Sequence, residues 1–317
     1  MTDEQSATTQ DMQGAINQIV LEYIKEQKRK RRWRMVKALI VVSIIAFLFY
    51  QSYEITKSKI EGQTKPHVGL IDIEGTIFDK QAASADNFAK SLKSAYENEQ
   101  MKALVLRINS PGGSPVQADY MFNTLKFYKD NHPNIKVYAV CVDLCASAAY
   151  YVAAGADEIY ANPSSMVGSI GVLYNGFGFV DTLSKLGMTR RLQTAGVNKG
   201  LLDPFSPESE NDKQILQHML DQIHQTFIEK VKEGRGNRLV NDPNLFTGLF
   251  WTGIDAKNLG LIDGFASTGQ LAREVIQIKR IVDYTEKDTV LERFAKNMGS
   301  AMIDQVPQAL GLQQRFQ

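Results

Sequence analysis

Histidine is scarce in this chain, with four residues in 317: His67, His132, His218 and His224. His67 opens an apolar run, His132 lies in a polar turn, and His218 and His224 sit six apart in an amphipathic pattern without a serine or aspartate motif around them. A histidine-based serine triad thus has no candidate base among them. Cysteine is scarcer still, Cys141 and Cys145 alone. They lie where a strand passes into a helix, a geometry that need not suit a bridge, so two buried free thiols are expected. No ligand cluster accompanies them, and neither a metal nor a cofactor is expected. There is no internal repeat.

Net charge is also nearly absent, at +1, but its distribution is uneven. Lys25, Lys28, Arg29, Lys30, Arg31, Arg32, Arg34 and Lys37 fall within thirteen positions, whereas from residue 51 onward 28 basic residues face 30 acidic ones. A polybasic block alone suits nucleic acid or anionic lipid. The nearly apolar run from Met35 to Tyr50 that follows selects lipid, and no nucleic-acid partner is expected. The run is about the shortest that spans a bilayer, with Trp33, Tyr50 and Tyr53 where interfacial aromatics sit. We read residues 35–50 as one transmembrane helix with the N-terminus inside. The long charged leader and the lack of a small-residue cleavage site in "FLFYQSY" argue against a cleaved signal peptide. Residues 1–34 then form a cytoplasmic polar and polybasic segment, 51–65 a linker, 66–284 the main domain outside the membrane, and 285–317 an amphipathic tail.

In the main domain the periodicity is that of an α/β protein. Short β-branched runs at 67–77, 102–109 and 135–143 alternate with helical patterns at 86–97 and 117–128, which implies a parallel sheet with crossover helices. A short helix is expected over 146–155, strands at "EIYAN" and at 169–174, and a long amphipathic helix over 208–233. The tail carries Leu291, Phe294, Met298, Met302 and Val306 at helical spacing. It suits docking on its own core, a subunit contact or a return to the membrane surface.

Ser147 stands at the start of the helix that follows the third strand, flanked by Ala146, Ala148 and Ala149. A serine there is ordinarily a cap or a packing residue; it also lies at the positive end of the helix dipole, where developing negative charge is stabilised. With no histidine to serve it, a base would have to be a lysine made neutral by desolvation, because an ordinary lysine with a pKa of about 10.4 is protonated. Lys199 fits, in a turn-rich loop with no other basic group from Leu201 to Pro207. Oxyanion stabilisation needs backbone amides that secondary structure leaves unused. "NSPGGSP" at 109–115 can supply them, at the sheet edge where open α/β folds bind ligands.

Four separated segments then resemble one family: "LRINSPGG" at 106–113, "CASAAYYVAAGADEIYANP" at 145–163, "VGSIGV" at 167–172 and "GVNKGLLDPFSP" at 196–207, with "FWTGIDAKNLGLIDGF" at 250–265 as a closing motif. Together, in this order, they are similar to the signal peptide peptidases of the SppA type, membrane-anchored Ser/Lys peptidases with a crotonase- and ClpP-like fold. The resemblance implies Ser147 as nucleophile, Lys199 as general base, Ser169 as the residue that orients the lysine amine, and Gly113 with Ala148 as oxyanion donors. It also implies a homo-oligomer acting on remnant signal peptides or other extended hydrophobic peptides at the cytoplasmic membrane, with the catalytic domain in the periplasm. Ala148 and Ala149 depart from the two glycines that often follow the nucleophile. A crotonase-like acyl-CoA enzyme and a non-catalytic membrane scaffold of the same fold are the rival readings.

Overall fold

The computed structural model describes residues 25–47, 49–50 and 64–287. Residues 1–24, nearly all of the expected linker and the amphipathic part of the tail lie outside the described residues. The chain divides into two units, residues 1–61 and 62–317.

In the first unit, α1 (residues 25–47) runs from the basic block into the apolar stretch without a break. Its side chains are exposed throughout, Trp33, Leu39, Val42 and Phe47 by about 60% or more. Among the described residues no helix is long and apolar enough to cross a membrane.

The second unit is an α/β domain built on an eight-stranded sheet. β1 (His67–Glu74), α2 (Ala85–Tyr96), β2 (Met101–Ser110), α3 (Pro115–Asn131) and β3 (Lys136–Ala146) come first. β1 pairs with β2 and β2 with β3, all parallel, as the alternation of strand and helix requires. The helices are set by their ends: Ser84 and Ser114 accept N–H bonds from Asn87 and Gln117 at the N-termini of α2 and α3, and Pro115 opens α3.

Both faces of the sheet are covered, which explains the near-continuous apolar strands. On one face Ile71, Ile73, Leu104, Leu106 and Ile108 pack with Phe88 and Leu92 of α2 and Met121, Phe122 and Leu125 of α3. On the other, Val68, Leu70, Val105 and Val140 meet Leu271 and Ala272. β8 (Ile281–Asp283) extends the β1 edge in parallel.

The feature that positions the site is the fork in the sheet at β3. Its first half, Tyr138 to Cys141, pairs with β4 (Glu158–Ala161), and its second half, Leu144 to Ala146, pairs with β5 (Met166–Gly168). Between them the register with β2 jumps, from Ile108 opposite Cys141 to Ser110 opposite Cys145. Asn109 closes this bulge: its Oδ1 accepts the Leu144 N–H and its Nδ2 donates to Asp143, each at 3.1 Å. β4 continues to β7 (Gly264–Phe265) in parallel, and β5 to β6 (Phe250–Thr252) antiparallel.

One strand is shorter than its composition suggests. "SIGVLY" at 169–174 is not a strand; the pairing residues are Met166 to Gly168. Ser169 takes a positive φ of 50°, and the Gly171 N–H folds back onto the Ser169 carbonyl at 3.0 Å, so the chain turns out of the sheet where the apolar run begins. From residue 171 to residue 226 no side chain is buried. α5 (Val180–Lys185) and the first half of α6 (Glu210–Arg235) lie in this stretch; the second half of α6 returns to the core through Phe227 and Val231. Ser209 and Asp212 form a capping box at the start of α6.

At its far end Arg235 is buried and forks onto both oxygens of Asp263, at 2.7 and 3.0 Å. α7 (Gly253–Asn258), capped by Thr252, leads into the β7 segment.

Candidate active site

Ser147 is the hinge between β3 and α4 (Ala148–Ala154), and its backbone is strained. Its φ of 53° and ψ of −126° put an L-residue in a region that costs of order 1–3 kcal/mol unless the surroundings impose it. Two constraints impose it here. The Ser147 N–H donates to the Gly168 carbonyl at 2.8 Å, and α4 is buried along its whole length, which fixes where the chain must enter the helix. The hydroxyl makes no hydrogen bond to the helix it precedes, and the residue is half-buried. The ordinary capping role of a serine at a helix start is therefore not the one Ser147 performs.

The "PGG" turn lies directly against it. Gly112 has φ +98°, and a Cβ on it would stand 2.8 Å from the Ser147 Cβ and 2.9 Å from the Ala148 nitrogen. Only glycine allows this approach. Ser110 holds the turn by accepting the Gly112 N–H at 3.1 Å. Beyond it, Gly113 forms a bridge with Ile77 through the Ile77 N–H to Gly112 C=O and the Ser114 N–H to Ile77 C=O bonds. The Gly113 N–H takes no part in that bridge. The Ala148 N–H is one of the orphan amides of the first turn of α4. Secondary structure thus leaves the amides of Gly113, in the turn beside the serine, and of Ala148, next to it in sequence, unused, as an oxyanion hole requires.

Ser169 joins them from the other side of the fork. Ala146 and Gly168 are register partners, so Ser147 and Ser169 leave their strands side by side, both with positive φ. Ser169 is held by its own N–H on Leu249 C=O at 2.8 Å. Four of the five expected residues, Ser147, Ala148, Gly113 and Ser169, therefore gather at one edge of the sheet.

Lys199 has no hydrogen bond to any of them among the described residues. It lies exposed in the turn after Gly196, whose carbonyl accepts the Lys199 N–H at 3.1 Å, and its amine has no hydrogen bond or ion pair among the described residues. Desolvation of that amine, which a base role demands, requires a cover that the described residues do not supply.

The cysteines are buried free thiols on β3, below the serine. Burial, with the Cys141 thiol bonded beside it, pushes the Cys145 thiol well above its ordinary value, so the thiolate a nucleophile needs is not formed. Sequence reasoning gave no separate role to Gly112, whose signal was the glycine pair, or to Asn109, whose side chain replaces a ladder bond at the bulge, and it set His224 aside. The His224 Nε2 lies 3.1 Å from the Ile170 carbonyl, in the turn that carries Ser169.

Comparison with known proteins follows the same segments. The model of peptidase family S49 matches residues 129–281, and that of Clp protease residues 69–167. A Brucella abortus protein named Na(+)/H(+) antiporter NhaA is 44% identical over 65% of this chain, but the chain spans only 28% of that protein's length. A provisionally named signal peptide peptidase SppA of Enterococcus faecium is 27% identical over 75% of the chain and 71% of its own length. The chloroplastic serine protease SPPA of Arabidopsis thaliana is 27% identical over 70% of the chain and 34% of its own. The forked sheet, the strained serine and these matches together make the chain similar to peptidase family S49 and to the serine peptidases of the SppA type.

Proposed function

We propose that the protein is a serine endopeptidase that uses Ser147 as nucleophile and Lys199 as general base. One observation carries this reading: a serine with an uncommitted hydroxyl, held at φ 53° between two unused amides. In the first step the Ser147 Oγ bonds to a peptide carbonyl carbon while its proton passes to the Lys199 amine, and the carbonyl oxygen becomes an oxyanion facing the Gly113 and Ala148 N–H groups. Collapse breaks the C–N bond, and Lys199 returns the proton to the leaving amine. Water then attacks the acyl ester, giving its proton to Lys199, and releases a carboxylic acid and the Ser147 hydroxyl. Ser169 orients the lysine.

The separation of Lys199 from Ser147 within one chain is resolved by assembly. Phe177, Leu186, Met188 and Val197 are all exposed by more than half, and Val197 completely. A single soluble chain rarely leaves so many large apolar side chains together in water. In our reading a second copy covers this stretch, and Lys199 of one subunit serves Ser147 of the next, desolvated by the contact. The substrates are remnant signal peptides or other extended hydrophobic peptides, for which Leu173 and Tyr174, exposed just beyond Ser169, offer apolar contacts. We further propose that residues 35–50 anchor the chain in the cytoplasmic membrane, with the basic block inside and the peptidase domain in the periplasm. The apolar side chains of α1, exposed from Leu39 to Phe47, support that reading.

The test is labelling with a serine-directed phosphonylating probe and mapping of the labelled peptide. Label on Ser147 that is absent in Lys199→Ala supports both roles; label elsewhere, or undiminished in Lys199→Ala, refutes the dyad.

A further inference from the structure

α6 touches both halves of the site. Its C-terminal half is clamped to α4, the helix that Ser147 opens. Phe227 stacks on Tyr151 with ring centroids 4.9 Å apart, Val231 is fully buried, and Gly234 lies so near α4 that a Cβ there would collide with the Ala154 carbonyl. One turn before Phe227, on the same stripe, stands His224. Its ring reaches off the helix to the Ile170 carbonyl at 3.1 Å. Because the acceptor is a carbonyl oxygen, Nε2 must carry the hydrogen.

Ile170 is the middle of the turn that gives Ser169 its positive φ. Three bonds hold that turn: the Ser169 N–H to Leu249 C=O at 2.8 Å, the Gly171 N–H to Ser169 C=O at 3.0 Å, and His224 to Ile170 C=O. Among the described residues only the last comes from a side chain, and only it ties the Ser169 turn by a hydrogen bond to the helix that packs on the helix opened by Ser147.

We propose that His224 is a positioning residue for Ser169: through the Ile170 carbonyl it sets where the Ser169 hydroxyl stands relative to Ser147, and hence where the lysine amine is held. The inference rests on the Ser147/Lys199/Ser169 reading above. His224 touches no reacting atom. Misplacement of an orienting group by about 1 Å costs up to about 100-fold in rate.

The experiment compares wild type, His224→Ala, His224→Gln and Ser147→Ala in the full-length chain, with a fluorogenic hydrophobic peptide, phosphonylation of Ser147 and thermal unfolding. Gln presents an N–H where the imidazole Nε2 was. The expected result is a kcat lowered about 10- to 100-fold in His224→Ala, with KM within about twofold, slower phosphonylation, and recovery to within about threefold in His224→Gln. Overturning results are a His224→Ala variant within about twofold of wild-type kcat, or a loss in which His224→Gln is as impaired as His224→Ala. A loss that tracks Tm in both variants counts as the second of these, a packing role alone. Residual hydrolysis in Ser147→Ala equal to wild type refutes the peptidase reading itself, and this inference with it; an inactive Ser147→Ala beside a fully active His224→Ala refutes this inference alone.

Discussion

The two sides of the proposed dyad lie in opposite surroundings. Ser147 sits at the end of a strand whose neighbours Cys145, Ala146 and Ala149 are inaccessible to water, and its strained dihedrals are held by the packing of α4 and the bond to Gly168. Lys199 sits in a stretch, residues 171–226, in which nothing is buried. On the proposed dyad, the nucleophile is built by folding and the base awaits another surface. Strain at one residue is sustained only where the surroundings over-determine it, so the serine had to be placed on the rigid side. The lysine, by contrast, would need desolvation at the moment of use, which the proposed contact with a second copy would provide.

The difference can be broken from either side. Ser147→Ala should have the largest effect, lowering peptide hydrolysis by about 10⁴-fold or more while leaving Tm nearly unchanged, as measured by steady-state kinetics and calorimetry. Gly112→Ala attacks the rigid side differently. A Cβ at 2.8 Å from the Ser147 Cβ and a positive φ are both unfavourable, so kcat should fall about 100-fold through displacement of the Ala148 amide. On the exposed side, Phe177→Glu with Val197→Glu should leave the monomer folded, because neither side chain is buried, while abolishing association in sedimentation velocity and activity with it.

The remaining two tests concern the scaffold. Arg235→Ala leaves the Asp263 carboxylate without its principal partner and should destabilise the domain by about 3–5 kcal/mol in urea unfolding. The smallest effect is that of pH. Burial alone would raise the Asp263 carboxyl, but the Arg235 guanidinium, the Ile159 N–H and Arg238 outweigh it and hold the group below its ordinary value. Its folded-state pKa being depressed, Asp263 contributes stability above the unfolded carboxylate pKa of about 3.9. That contribution is lost as pH falls through the lower folded value. Acid titration of the unfolding free energy should show this loss below pH of about 4, and it should be missing in Asp263→Asn.

The sequence made most of the rigid side legible. β-branched runs alternating with helical patterns marked β1 to β3, α2 and α3 to within a few residues, and "NSPGG", "ASAA" and "GSIG" marked the residues that do converge. The turn at Ser169 was missed because "SIGVLY" has strand composition throughout; only the Ser169 backbone and the Leu249 carbonyl show that the chain leaves the sheet there. His224 was dismissed because a single helical histidine carries no local motif, and its carbonyl partner is 54 residues away. The setting of Lys199 was illegible for a deeper reason. A loop lysine looks the same in sequence whether its cover is its own domain, another subunit or water.

Mixing of inactive subunits tests this account most directly. Ser147→Ala supplies a lysine without a nucleophile, and Lys199→Ala a nucleophile without a base. Dissociated, mixed in equal amounts and reassembled, they should regain hydrolysis at about a quarter of the sites if each site joins two copies at random. Reassembled mixtures of confirmed mixed composition that stay as inactive as either variant alone would contradict it.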